Sequence, residues 1–174
     1  NQLMAMVYGE VERISISENK NVAKGDTLVI INARKLQEQV AAYERNRNEN
    51  LAFKEDIQTI LNYRPEKIKT PKYISQYNEY ATQLKEQQLQ TELLRHEKEI
   101  SDQLYAKKVE TEMDHLKAVN SYEISVRREK LIHDQFHKNL QAELSRLEIE
   151  NKDLASSISQ LKEEQNQYVV TAPV

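Results

Sequence analysis

The feature that most constrains this chain is a long stretch without helix-breaking residues: between Pro71 and Pro173 there is neither glycine nor proline. Elsewhere the chain has two glycines, Gly9 and Gly25, and one further proline, Pro65. Disordered segments are usually rich in proline and glycine. This stretch is instead rich in Gln, Glu, Lys, Leu and Ala, which favour helices. The sequence therefore predicts long helices.

The composition agrees with helices that bury only a narrow apolar stripe. Hydrophobic residues make up 39% of the chain, aromatic residues 6% and charged residues 30%, which is a poor basis for a core of normal thickness. The net charge is −3, with both signs interspersed, so we expect no nucleic-acid partner. The absence of cysteine excludes disulfides and thiolate metal sites. No apolar run approaches the roughly 18 residues of a membrane-spanning helix.

Residues 1–33 have the pattern of short β-strands. Apolar residues alternate with polar ones up to Val11, and the parity of the alternation has changed by Ile14. A change of parity predicts a bulge or a bend. A turn signal surrounds Gly25, and the β-branched run 27–31 is typical of a buried strand.

Residues 34–167 are predicted to form a long antiparallel α-helical hairpin. A single unbroken rod would leave its narrow seams unpaired, and the two arms match in length at roughly 90 Å each, given about 1.5 Å per residue. Pro65 and Pro71 cannot both lie inside a straight helix, so we expect the first arm to be interrupted there. The predicted parts are the first arm at 34–62 and 73–106, a proline loop at 63–72, the tip at about 105–110 and the second arm at 109–167.

Heptad spacing predicts which helical residues form the seam between the arms. The regular seam of the second arm consists of Leu140, Leu144, Leu147, Asn151, Leu154, Ile158, Leu161 and Gln165. Asn151 is interpreted as a polar core residue that sets the register. In the first arm, the predicted seam runs from Leu36, Val40 and Tyr43 to Ile57 and Leu61 before the proline loop. After the loop it consists of Tyr77, Tyr80 and Leu84, followed on a shifted face by Leu89, Leu93, Ile100 and Leu104.

The segments that bracket the helices resemble a known family. The matching residues are Gly9-x-Val11-x-x-Ile14-x-Ile16 and Asn19-x-x-Val22-x-Lys24-Gly25-Asp26-x-Leu28 before the helices, and Thr171-Ala172-Pro173-Val174 after them. They look like the two edges of the lipoyl-type module of periplasmic adaptor proteins, the membrane fusion proteins of the HlyD type. In that family a helical hairpin interrupts the module.

The resemblance implies a mainly α fold, in which a long antiparallel coiled-coil hairpin is inserted into a partial β-rich, lipoyl-like (barrel-sandwich) module. Residues 1–33 would form the first half of this module, and residues 168–174 would begin its truncated second half. We expect the remainder of the module, and the segment that anchors the protein to the inner membrane, to lie outside this sequence.

The resemblance also implies a periplasmic, non-enzymatic function without a cofactor: an adaptor that links an inner-membrane transporter to an outer-membrane channel protein for secretion or efflux. Several hairpins then pack side by side into a ring, commonly of six copies, and the tip meets the channel. A tip signature, Arg-x3-Leu-x6-Ser, recurs in the family, and its positions here are Ile100, Leu104 and Thr111. The predicted partner-binding residues are Leu104, Tyr105, Ala106, Lys107, Lys108, Val109 and Thr111.

Other interpretations of individual residues are less favoured. Lys35 follows a strand as the acceptor lysine of biotin and lipoate carriers does, but a long helix follows it in place of the second strand of the acceptor turn. His133 and His137 share a helix face and could bind zinc with a third ligand from the other arm. For the whole chain, a generic antiparallel coiled-coil scaffolding arm would explain 34–167 but not the strands on either side.

Overall fold

The structure, a computed structural model, describes residues 4–17 and 21–173. The elements, in chain order, are β1 (Val11–Ile14), β2 (Thr27–Ile31), α1 (Arg34–Leu61), a 3₁₀ helix (Pro65–Lys67), α2 (Pro71–Ala106), α3 (Glu112–Asn166) and β3 (Val169–Thr171). The predicted fold class, mainly α with a small β-rich part, is confirmed. Asn19 and Val174 of the bracketing motifs lie outside the described residues.

The chain divides into two compact units, residues 1–51 with 148–174 and residues 52–147. The division falls inside α1 and α3. The first unit contains the sheet and the adjoining ends of these two helices, and the second unit contains α2 with the remaining parts of α1 and α3. Along the described residues, no helix combines the length and the apolarity needed to cross a membrane.

In the first unit, β2 is the central strand of a three-stranded sheet and pairs antiparallel with both β1 and β3. The register of β1 shifts between Val11 and Arg13, which confirms the irregularity predicted from the change of parity. Gly9 lies against the end of β2, where a Cβ atom would approach Cγ2 of Ile31 to 2.6 Å. Because Ile31 is only 5% exposed, it has little room to move, and glycine is required at position 9.

The helical part of the first unit combines buried apolar residues with an exposed ion pair between the two helices. Leu36, Val40 and Ile158 are buried, and an ion pair of 2.7 Å joins Glu44 of α1 to Lys162 of α3. All members of the seam predicted for the second arm, in both units, are buried or half-buried. Among them, Asn151 makes no side-chain hydrogen bond within the described part of the chain.

In the second unit, the core is built where α1, α2 and α3 meet. Its buried residues are Ile57, Ile60, Tyr73, Leu140 and Leu147, with Phe53, Tyr77 and Phe136 among those packed against them. The rings of Tyr80 and Phe136 stack at a centroid distance of 3.9 Å. The predicted face of α2 that carries Tyr77 and Tyr80 is therefore the face that packs.

The break between α1 and α2 is shorter than predicted. Two residues after the end of α1, Tyr63 is in the left-handed region, at φ 57°, and its N–H donates to the carbonyl of Ile60. Pro71 is the first residue of α2, a position where its fixed φ and missing N–H suit a helix. Helix therefore resumes at residue 71 rather than at 73.

Asp56 caps the start of α2 from a neighbouring helix. Asp56 is 1% exposed, and its carboxylate accepts the N–H groups of Lys69 at 2.9 Å and Thr70 at 2.7 Å. The hydroxyl of Thr70 also donates to it. A buried carboxylate with three donors at a helix N-terminus satisfies otherwise unpaired N–H groups and complements the helix dipole.

The prediction for the second half of α2 is wrong. Leu89, Leu93, Ile100 and Leu104 are between 38% and 60% exposed. The seam instead continues without a shift from Leu84 through Gln87, Thr91, Leu94, Lys98 and Ser101, which are buried or half-buried. Because α2 is one uninterrupted helix, its packed face keeps the register set by the tyrosines, although the residues on that face become polar.

Candidate functional site: the hairpin tip

The turn between α2 and α3 contains the residues predicted to bind a partner. Leu104, Tyr105 and Ala106 are the last three residues of α2, while Lys107, Lys108, Val109 and Thr111 lie in the loop before α3. The two helices run antiparallel, because Gln87 of α2 bonds Ser125 of α3 and, nearer the loop, Ser101 lies beside His115. We define the hairpin tip as residues 100–116.

The loop closes without a glycine. The N–H of Lys108 donates to the carbonyl of Tyr105 at 2.9 Å, and the N–H of Val109 donates to that of Leu104 at 2.9 Å. This pair of bonds is the Schellman motif, which requires a left-handed residue. Here that residue is Lys108, at φ 58°. The same pattern ends α1 at Tyr63.

The start of α3 is fixed by a reciprocal cap. The hydroxyl of Thr111 accepts the N–H of Asp114 at 3.2 Å and donates to the Asp114 carboxylate at 2.8 Å. Thr111 is therefore the N-cap residue of α3. Hydrogen bonds from Thr111 and Lys117 lower the pKa of Asp114 below its ordinary value. The Asp114 carboxylate also complements the dipole of α3 at its N-terminus.

Beneath the loop lies a small polar cluster. Ser101, 5% exposed, donates through Oγ to Oε2 of Glu110 at 2.6 Å, and Nδ1 of His115 is 3.2 Å from the same Oγ. The His115 ring stacks on Tyr105 with a centroid distance of 4.6 Å and an angle of 3°. Oδ1 of Asp102 is 3.7 Å from Nδ1 of His115. The cluster joins α2, the loop and α3.

The exposed residues of the tip combine large apolar side chains with charged ones of both signs, among them the carboxylates of Glu112 and Asp114. Lys107 and Lys108 are exposed. The exposed large apolar side chains are Ile100 (59%), Leu104 (38%), Tyr105 (41%), Val109 (71%), Met113 (63%) and Leu116 (50%). Such a concentration of exposed apolar groups is typical of a surface that binds another protein.

Sequence reasoning missed Ser101, Glu110 and His115. A signal was available for Ser101, because it continues the heptad from Leu84 at the spacing of a seam residue. A small polar residue in a seam needs a partner. No local pattern could have identified that partner, because Glu110 lies in the loop and meets Ser101 only after the chain reverses.

The structure also bears on two less favoured interpretations, Lys35 as a carrier lysine and His133 with His137 as zinc ligands. Lys35 is an exposed residue of the first turn of α1, so it is not in the tight β-turn that a carrier lysine requires. The imidazoles of His133 and His137 stack at 4.2 Å, and Tyr63 lies 5.5 Å from His137. Within residues 4–17 and 21–173, no three or more side chains of His, Cys, Asp or Glu form a group that could hold a metal ion.

Known proteins are similar to this chain in fold rather than in sequence. No protein-family model matches the sequence, and no curated protein matches it. Among solved structures, the soluble domain of LipC, a membrane fusion protein of a type I secretion system, is similar with a TM-score of 0.52 and 14% identity, over 100% of this chain and 89% of that chain. The fold implied by the sequence motifs is therefore present.

The structure of the periplasmic adaptor protein EmrA is also similar, with a TM-score of 0.45 and 14% identity, over 95% of this chain. The chain spans 60% of the length of the EmrA chain.

Proposed function

We propose that this chain is the hairpin-bearing part of a periplasmic adaptor, which links an inner-membrane transporter to an outer-membrane channel in a secretion or efflux system. Its action is geometric: the helices carry the tip to the channel, and no residue makes or breaks a covalent bond. The observation that carries the proposal is the tip itself, where a capped, glycine-free loop exposes Lys107, Lys108 and Val109. The fold shared with the LipC soluble domain supports the same role.

Exposed apolar stripes on α2 and α3 support side-by-side packing of several copies. Leu89 and Leu93 each lie two positions from Thr91, a seam residue, and two residues correspond to about 200° around a helix. They therefore face away from α3 and are 60% and 53% exposed. On α3, Ile124 and Leu131 are likewise exposed, at 49% and 61%.

These stripes differ in sequence and lie on different helices. A contact between the α2 stripe of one copy and the α3 stripe of the next would be heterologous, and a heterologous contact that closes generates a ring. We therefore propose that copies of the chain assemble as a ring in the intact adaptor.

The docking of the tip is tested by site-specific photocrosslinking in cells that produce the complete protein. A photoreactive residue replaces Lys107 or Lys108 in turn, and crosslinked products are identified by mass spectrometry. We expect an outer-membrane protein from both positions. Lys130, an exposed residue of α3 away from the tip, is the matched control and should give no such product.

The absence of outer-membrane products from both tip positions, in cells where the protein is correctly exported, would overturn the docking proposal. Products from position 130 with the same yield as from position 107 would also contradict it, because the tip would then have no special role.

A further inference from the structure

The hydrogen bond between Ser101 and Glu110 connects the tip loop to the interior of the hairpin. Among the described contacts of the loop, the side chain of Glu110 reaches α2 by accepting a 2.6 Å hydrogen bond from Oγ of Ser101. Ser101 lies in the seam and is 5% exposed. An unpaired hydroxyl at such a position would carry a desolvation cost, so the glutamate both satisfies the serine and ties the loop down.

His115 extends this connection to α3. Its Nδ1 is 3.2 Å from Oγ of Ser101, and its ring is parallel to that of Tyr105. The Asp102 carboxylate accepts a 2.6 Å hydrogen bond from Nζ of Lys98 and lies beside the same imidazole. The position of the His115 ring is therefore fixed by stacking on one side and by polar contacts at its edge.

We propose that Ser101, Glu110 and His115 form a latch that holds the tip loop in the conformation that a partner binds. The three are positioning residues, and the contact residues are Lys107, Lys108 and Val109. An aliphatic side chain at position 101 would bury more apolar surface than serine does. Ser101 therefore contributes less to helix packing, but its hydrogen bond to Glu110 fixes the loop.

The latch acts through pre-organisation. The loop contains a left-handed lysine at φ 58°, a conformation that non-glycine residues adopt at a cost. Without the tie at Glu110, the loop can relax from this conformation, and docking would have to restrict it again. Ordering a loop on binding lowers affinity, whereas a loop already ordered does not carry this cost.

The docking half of this inference rests on the proposed function, but loop order can be measured without a partner. Hydrogen exchange of the Lys108 and Val109 amides reports the two bonds that close the loop. We expect Glu110→Ala and Ser101→Ala to accelerate exchange at both amides by about tenfold, while exchange in the middle of α2 and α3 is unchanged.

Two control variants separate the latch from general effects of charge and packing. Glu110→Gln keeps a carbonyl oxygen that can accept from Ser101, and it should restore slow exchange to within about twofold. Glu112→Ala removes a carboxylate at the start of α3 that makes no link to α2 among the described hydrogen bonds. It should leave exchange at Lys108 unchanged.

The two halves can fail separately. Unchanged exchange in both Glu110→Ala and Ser101→Ala would overturn the latch, whatever the crosslinking shows. Faster exchange, with no crosslink from Lys107 even in the unmodified protein, would leave the latch in place and overturn the proposed docking. If Lys107 crosslinks equally well with and without Glu110→Ala, the latch exists but does not serve docking.

Discussion

The backbone N–H of Gly25 donates a hydrogen bond of 2.9 Å to the carbonyl oxygen of Ala172, and the N–H of Ala172 donates one of 2.9 Å to the carbonyl of Asp26. Every helix that the structure describes lies between these residues in sequence. Ala172 is 4% exposed. The two motifs that bracket the helices are therefore neighbours at one end of the β2–β3 ladder, which is the arrangement expected when a helical segment is inserted into a β module.

Replacement of Gly25 should destabilise this junction. Gly25 has φ +89° and follows Lys24 in a turn closed by the bond from the Asp26 N–H to the Ala23 carbonyl. Gly25→Ala should lower the free energy of unfolding by about 1 kcal/mol, because alanine resists positive φ. Gly25→Asn should cost less, since asparagine tolerates this region. Urea denaturation of the three proteins measures the difference, and equal losses for alanine and asparagine would contradict the conformational explanation.

Removal of the Asp56 carboxylate should be among the most damaging single changes in the second unit. Asp56→Ala leaves the N–H groups of Lys69 and Thr70 unpaired, and charged hydrogen bonds of this kind contribute roughly 1.5–3 kcal/mol. Glu55→Ala is the matched control: its ion pair with Lys69 is exposed, with Glu55 60% accessible. The free energy of unfolding lost in Glu55→Ala should therefore stay below about 1 kcal/mol. Similar losses from both variants, in thermal or urea unfolding, would show that Asp56 does not act as a cap.

Glycine at position 108 should stabilise the tip. Lys108 is in the left-handed region, where glycine is the preferred residue of a Schellman motif. Lys108→Gly should therefore raise the free energy of unfolding by about 1 kcal/mol. Lys107→Gly is the control, because Lys107 has φ −84° and gains nothing from glycine. A rise in thermal midpoint for the second variant but not the first would contradict the assignment of the left-handed position.

The stability of the second unit should depend on pH through His137. Burial, and then the charge of His133, lower the pKa of His137 below its ordinary value of 6.5. The unfolded chain therefore binds this proton more readily than the folded chain, so the free energy of unfolding falls as the pH drops below about 6.5. Asp134 opposes this effect in part.

The measurement is thermal unfolding at pH 7.5 and pH 5.5. His137→Gln should reduce the loss of stability between these values. His96→Gln is the control for removal of an exposed imidazole, since the His96 side chain is 58% accessible. An identical pH dependence in all three proteins would exclude His137 as the source.

Replacement of Asn151 by leucine should increase stability. Both side-chain polar atoms of Asn151 are buried without a hydrogen bond in the described part of the chain, and such groups cost roughly 1–3 kcal/mol. Asn151→Leu should raise the urea midpoint but weaken the selection of a single register, as seams without a polar residue do. A lower midpoint would show that the asparagine is satisfied in solution.

The return to the sheet at Thr171 was predicted from the family resemblance, whereas the sequence alone was sufficient to predict the strands, the long helices and the interruption near the prolines. These features depend on local rules: the two-residue period of strands, the absence of glycine and proline after Pro71, and the helix propensity of the residues present. The location of the turn near Lys107 was also predicted, although from the lengths of the arms and a family resemblance rather than from any turn residue.

Tertiary structure decided which face of α2 is packed. Leu93 was expected in the seam and is exposed, whereas Thr91 and Ser101 are enclosed. A long helix is a rigid body, so the aromatic contacts of Tyr77 and Tyr80 fix the rotation of all the residues that follow. Apolar side chains that fall on the other face must remain exposed or be covered by another protein.

Tertiary structure also decided how the chain ends are capped and how the tip is held. Asp56 meets Thr70, and Glu110 meets Ser101, only after the chain has folded back. Lys108 adopts a left-handed conformation because the Schellman bonds and the packed helices on either side require a turn there. Sequence rules describe what a residue prefers, whereas closure of the hairpin can impose a conformation that the residue does not prefer, provided that the contacts formed outweigh the local cost.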